Sequence, residues 1–196
     1  MREGWTMLEP ARLALNSWRL ALQPRGDGRI VVVLPGFRAD DRSTVPIRSY
    51  LRSIGYDARG WELGLNAGDV RGNVSSVIRR LEEFVASTGR KVPLIGWSLG
   101  GVVARDVARR RPDLVEQVIT FGSPISRWSS GALPSSVPVT SIYTKGDGIV
   151  PWRSSIDTAT PHARNIEVNT THLGLGLHHQ VYVETARCLA AAVSRP

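Results

Sequence analysis

The stretch Val92-Pro93-Leu94-Ile95-Gly96-Trp97-Ser98-Leu99-Gly100-Gly101-Val102-Val103 decides the fold of this chain. Val92–Trp97 is a short, largely apolar run and reads as a buried strand. Residues 99–110 carry helical spacing and stop before Pro112, which disfavours helix in the residue ahead of it. Between them stands Gly96-Trp97-Ser98-Leu99-Gly100. A serine at such a strand-to-helix turn sits in a strained conformation that lifts its hydroxyl clear of the sheet. The flanking glycines are needed because side chains there would collide with the neighbouring strand and helix, and Gly101 gives further room.

Working outward, short β-rich runs alternate with longer runs of helical period. Ile30–Leu34, Tyr56–Trp61, Val115–Phe121, Val137–Thr144 and Ala163–Val168 read as further strands. Residues 44–54, 70–86 and 178–194 read as helices, with Asp69 as the N-cap of the second and Tyr182, Ala186, Leu189 and Val193 on one face of the last. Residues 6–22 form an amphipathic helix whose stripe of Leu8, Ala11, Leu15, Trp18 and Leu22 is expected to pack on the domain. The alternation predicts an α/β fold: a mostly parallel central sheet of about six strands with helices on both faces. The Ser/Pro/Gly-rich connection 122–136 is expected to hold no stable helix, and so no lid.

The chain has 196 residues, 42% hydrophobic and 21% charged, which suits one globular domain. We read residues 1–25 as a helical extension and 26–196 as the core. Twenty-five Lys and Arg against 17 Asp and Glu give a formal charge of +8. The cations are scattered, and the densest run, Arg109-Arg110-Arg111, ends a helix, where it complements the helix dipole. Nucleic-acid binding is therefore not expected. One cysteine, Cys188, allows no internal disulfide and reads as a small buried hydrophobe. The first 22 residues show no secretory signal and no run approaches a membrane span, so a cytoplasmic protein without stable membrane insertion is expected.

A serine hydroxyl needs a base, and the base an orienting acid. Asp147 and His172 follow the strands Val137–Thr144 and Ala163–Val168, at the strand ends where sites of parallel sheets collect. Asp157 is a rival acid. His178 and His179, at the start of the last helix, are rival bases, and His162 precedes its strand. An acyl transfer also needs N–H donors for the tetrahedral oxyanion. Leu99, after the serine, offers one, and Phe37, in Leu34-Pro35-Gly36-Phe37, the other. Phe37, Trp97, Trp128 and Trp152 are candidate substrate-binding residues.

On these residues the chain resembles the α/β-hydrolase superfamily, in particular small bacterial esterases and lipases. The resemblance rests on Leu34-Pro35-Gly36-Phe37, Gly96-Trp97-Ser98-Leu99-Gly100, Asp147 with Val150-Pro151, and His172 with the glycines after it. It implies the minimal form of that fold and a catalytic triad of Ser98, Asp147 and His172. It also implies hydrolysis of a small-molecule carboxylic ester through an acyl-enzyme, without metal or organic cofactor. Lipases, thioesterases and acyltransferases use the same triad, and a non-catalytic binding protein on this fold is the remaining alternative. The chain lacks the two strands that precede the first one in larger members, and the insertion that often caps the site. An open cleft favouring short to medium acyl chains is the expectation.

Overall fold

The computed structural model describes residues 13, 15–128 and 131–193. Six strands form one sheet: β1 (Ile30–Leu34), β2 (Asp57–Gly60), β3 (Val92–Trp97), β4 (Val115–Phe121), β5 (Val139–Tyr143) and β6 (Arg164–Glu167). Their spatial order is β2-β1-β3-β4-β5-β6, and every neighbouring pair is parallel. The helices are α1 (Ser17–Ala21), α2 (Val45–Ser53), α3 (Val70–Thr88), α4 (Leu99–Arg110), α5 (Ile125–Trp128) and α6 (His179–Val193).

Residues of β1 alternate between two cores. Val31 and Val33 join Ile47, Tyr50 and Leu51 of α2 and Tyr182 and Leu189 of α6. Ile30, Val32 and Leu34 join Val74, Val77 and Leu81 of α3 and Val103 and Val107 of α4. Helices therefore cover both faces of the sheet, which is why its central strands are continuously apolar. The edge strand β6 is the exception. Exposed Arg164, Asn165 and Glu167 mark it, as suits an unpaired edge. Asp69 caps α3 by accepting from Gly72 N, and left-handed Gly89 (φ 68°) ends it.

Two sequence expectations change. The stripe expected to pack the first helix on the domain faces outward: Leu15, Trp18 and Leu22 are 76%, 59% and 73% exposed. Leu13 and Leu20, seven residues apart and so on one face, make the packing contact instead. Leu8 and Ala11 lie outside the described residues. In the connection 122–136, α5 adds a single helical turn, with Ile125 buried and Trp128 exposed. Pro124 stands ahead of that turn, where its missing N–H costs nothing.

Chain order and spatial order diverge at β1, which lies between β2 and β3. Open α/β sheets bind ligands at such a switch point, outside the strand C-termini. Leu34 of β1 pairs in register with Gly96 of β3, so the loops after β1 and β3 leave the sheet side by side.

Candidate active site

Ser98 occupies the turn between β3 and α4. Its N–H still donates to Phe121 O (2.9 Å), extending the ladder to β4 by one step. Its own backbone then turns to φ 52°, ψ −121°, a left-handed conformation that costs a non-glycine residue about 1–3 kcal/mol. Packing enforces it. A Cβ on Gly96 would lie 2.3 Å from Gly101 Cα, and one on Gly100 would lie 2.4 Å from Leu34 O. Helix α4 thus starts flush against β1 and β3. Although Ser98 stands at the N-cap, its side chain accepts no cap bond, so the hydroxyl is not used by the helix.

Gly36 crosses directly in front of this turn: a Cβ there would lie 3.2 Å from Ser98 Cβ and 3.8 Å from its Oγ. The next N–H, of Phe37, and the N–H of Leu99 have no acceptor among the described residues. Two unengaged donors thus flank one serine, which is how an oxyanion site is built.

Asp147 and His172 meet on the same edge of the sheet. His172 Nδ1 lies 2.7 Å from Asp147 Oδ2. The carboxylate only accepts, so Nδ1 carries the proton and Nε2 is left as the acceptor of the neutral ring. Asp147 Oδ1 accepts from Ile149 N (2.9 Å) and Val150 N (2.7 Å), which pins the carboxylate. Both side chains are covered, at 5% and 1% exposed. His172 packs on Gly122, where a Cβ would stand 3.0 Å from its Nδ1. Gly122 is the neighbour of Phe121, whose carbonyl holds Ser98. Thr144 ties the two loops together. Its Oγ1 donates to Thr170 O (2.7 Å) and accepts from Gly146 N (3.1 Å) and Thr170 N (3.3 Å). Nothing in the sequence marks Thr144, because a loop-bridging threonine leaves no periodic pattern.

The rivals are placed elsewhere. Asp157 is buried and paired to Arg105 of α4, and its Oδ1 accepts from Ala159 N and Thr160 N. The rings of His178 and His179 lie against each other at a tilt, centroids 4.8 Å apart, where α6 begins. His162 Nε2 lies 3.0 Å from Val137 O, before β5. Of the aromatic candidates, Phe37 is 56% exposed beside the Ser98 turn. Trp97 is half-buried and wedged between Phe121 and His172, with Gly176 against its ring. Trp128 is exposed on α5, and Trp152 stacks on Tyr143 between Lys145 and Arg153. A groove of 570 Å³ beside Trp18, Leu22 and His179 contains none of the candidate triad residues. Among the described residues, no cluster of His, Cys, Asp and Glu could hold a metal, and no helix is long and apolar enough to cross a membrane.

No family model matches the chain. Solved structures match its fold. One of two metagenome-derived lipolytic enzymes, LipS and LipT, aligns with a TM-score of 0.66 over 89% of this chain and 97% of its own, at 12% identity. Est1E from Butyrivibrio proteoclasticus aligns at 0.66 over 85% and 89%, with 13% identity. Mouse alpha/beta hydrolase domain-containing protein 10 aligns at 0.61 over 86% and 90%, with 14% identity. The chain has the α/β-hydrolase fold. At these identities the likeness carries the fold and not the activity, since one fold hosts many chemistries.

Proposed function

We propose that this protein is a serine hydrolase that cleaves carboxylic esters through an acyl-enzyme. The observation that carries the proposal is the strained Ser98, with two N–H groups beside it that have no acceptor among the described residues, at the strand C-termini where Asp147 holds His172. In this reading His172 Nε2 takes the Ser98 proton as Oγ attacks the ester carbonyl. Asp147 keeps the ring in the tautomer whose Nε2 accepts, and stabilises the imidazolium that forms. The Phe37 and Leu99 N–H groups receive the developing oxyanion. His172 then protonates the leaving alcohol, and water repeats the sequence on the acyl-enzyme.

Short to medium acyl chains suit the site. Exposed Phe37, Leu65, Ile149 and Leu173 lie on four different loops that follow strand C-termini, an apolar and open rim. An open rim covers little of a long chain, so added methylenes beyond it gain little binding. The test is a panel of esters of graded acyl length with Ser98→Ala as control. The wild type should turn over the shorter members and be labelled by a fluorophosphonate probe. Ser98→Ala should fold, resist labelling and lose on the order of 10⁶-fold in turnover. A folded Ser98→Ala protein with near-normal turnover would overturn the reading.

A further inference from the structure

Asn66, in the loop after β2, is completely buried, while its neighbours Leu65 and Ala67 are exposed. A primary amide taken out of water must find partners for its donors and acceptors. Asn66 finds them largely in another loop. Its Nδ2 donates to Pro35 O (3.0 Å), its backbone N donates to Ala39 O (2.9 Å), and its backbone O accepts from Arg38 N (2.8 Å). Its Oδ1 accepts from Gly68 N (3.2 Å) and Asn73 Nδ2 (3.1 Å), which fixes which end of the amide faces Pro35.

These bonds grip residues 35–39 on both sides of Phe37. Inside that segment Gly36 O accepts from Ala39 N (3.2 Å). The carbonyl of the Gly36–Phe37 peptide is therefore turned inward, and across a trans peptide the N–H points the opposite way. That N–H, on Phe37, is the one without an acceptor among the described residues. Arg38 is held at φ 56°, a strained conformation that persists only where the surroundings over-determine it. The Asn66 contacts supply that constraint.

We infer that Asn66 is the positioning residue of the oxyanion side of this site: it sets the direction of the Phe37 N–H and touches no substrate. The inference rests on the serine-hydrolase reading above. Asn66→Asp keeps the shape and removes the donor, placing a carboxylate oxygen against Pro35 O. Asn73→Ala cuts the same network on the side away from Pro35 and serves as the stability control. Should Asn66→Asp fail to fold, Asn66→Ser removes the Pro35 contact without adding charge.

The measurements are kcat and KM on p-nitrophenyl butyrate, inhibition by n-butylboronic acid, and amide hydrogen exchange at residues 36–39. In Asn66→Asp kcat should fall on the order of 10- to 100-fold with KM within about twofold, because a donor misaimed by an ångström loses transition-state stabilisation. Boronate inhibition, which places an oxygen at the oxyanion position, should weaken with kcat. Exchange at 36–39 should accelerate in Asn66→Asp and not in Asn73→Ala. Wild-type kcat in Asn66→Asp, a loss shared equally by Asn73→Ala, or unchanged exchange at 36–39 would overturn the inference. Failure of the serine-hydrolase reading is seen separately, as turnover that survives Ser98→Ala.

Discussion

At the scale of single residues, the site separates groups that share a chemical type. Four histidines are present, and His172 is held through Nδ1 by the pinned carboxylate of Asp147. His172→Ala should match Ser98→Ala in its loss, and Asp147→Asn should cost about 10⁴-fold in kcat, since an amide no longer enforces the tautomer. His179→Ala should keep its turnover. His178 is 4% exposed, so His178→Ala should lower the melting temperature while turnover per folded molecule survives. Steady-state rates normalised to folded protein by circular dichroism check this, and a folded but inactive His178→Ala would reassign the base. The placement of His172 beside Asp147 was legible from sequence because both follow strands of a parallel sheet. Asn66 was not: its role depends on a contact with Pro35, 31 positions away, and no local pattern records that.

At the scale of elements, strands β1, β3 and β4 and helix α4 stand where their apolar runs place them, because burial on both faces leaves an unbroken signal. The first helix was misread because Leu13 and Leu20 form a second, narrower stripe, and periodicity alone does not say which stripe meets the core. Asp157 shows the same limit for a charge. Its position between Ser98 and His172 fits a catalytic acid, but its partner is Arg105, fully buried in α4. Arg105 Nη2 also donates to Gly131 O (3.0 Å), so the pair fastens α4 to the segments around residues 131 and 157–160. Burial draws the Arg105 guanidinium below its usual range, against the pull of Asp157. Removing one partner of such a pair strands the other charge. Asp157→Ala should therefore cost about 3–5 kcal/mol, with kcat per folded molecule little changed. Urea unfolding and active-site titration measure the two separately. A stable Asp157→Ala protein with kcat as low as Asp147→Asn would instead return Asp157 to the chemistry.

At the scale of the whole molecule, the site is assembled by loops that depend on both layers of helices. One of those layers carries a pH-sensitive seam. Tyr50 of α2 stacks on Tyr182 of α6, centroids 5.3 Å apart. The Tyr182 hydroxyl donates to Gly176 O (2.7 Å), in the loop that follows His172 and packs against Trp97. Burial pushes the Tyr50 phenol up to about 12, and raises those of Tyr56 and Tyr182 as well. In the unfolded chain each would ionise near 10. The sign follows: above about pH 10 the unfolded state binds fewer protons than the native state, so stability falls as pH rises. The stabilisation is complete below the unfolded value and is lost as pH climbs through the native one. Alkaline titration followed by phenolate absorbance should show these three of the four tyrosines ionising late and together, in step with the loss of the near-ultraviolet circular dichroism signal. Tyr182→Phe keeps the stack and removes the ionisable group together with its bond to Gly176. It should raise the midpoint of alkaline unfolding and, by loosening the loop behind His172, lower kcat at neutral pH. Phenols that titrate singly near pH 10 in a protein still folded would show that the seam between α2 and α6 is open to water, and the tie from α6 to the His172 loop would fall with it.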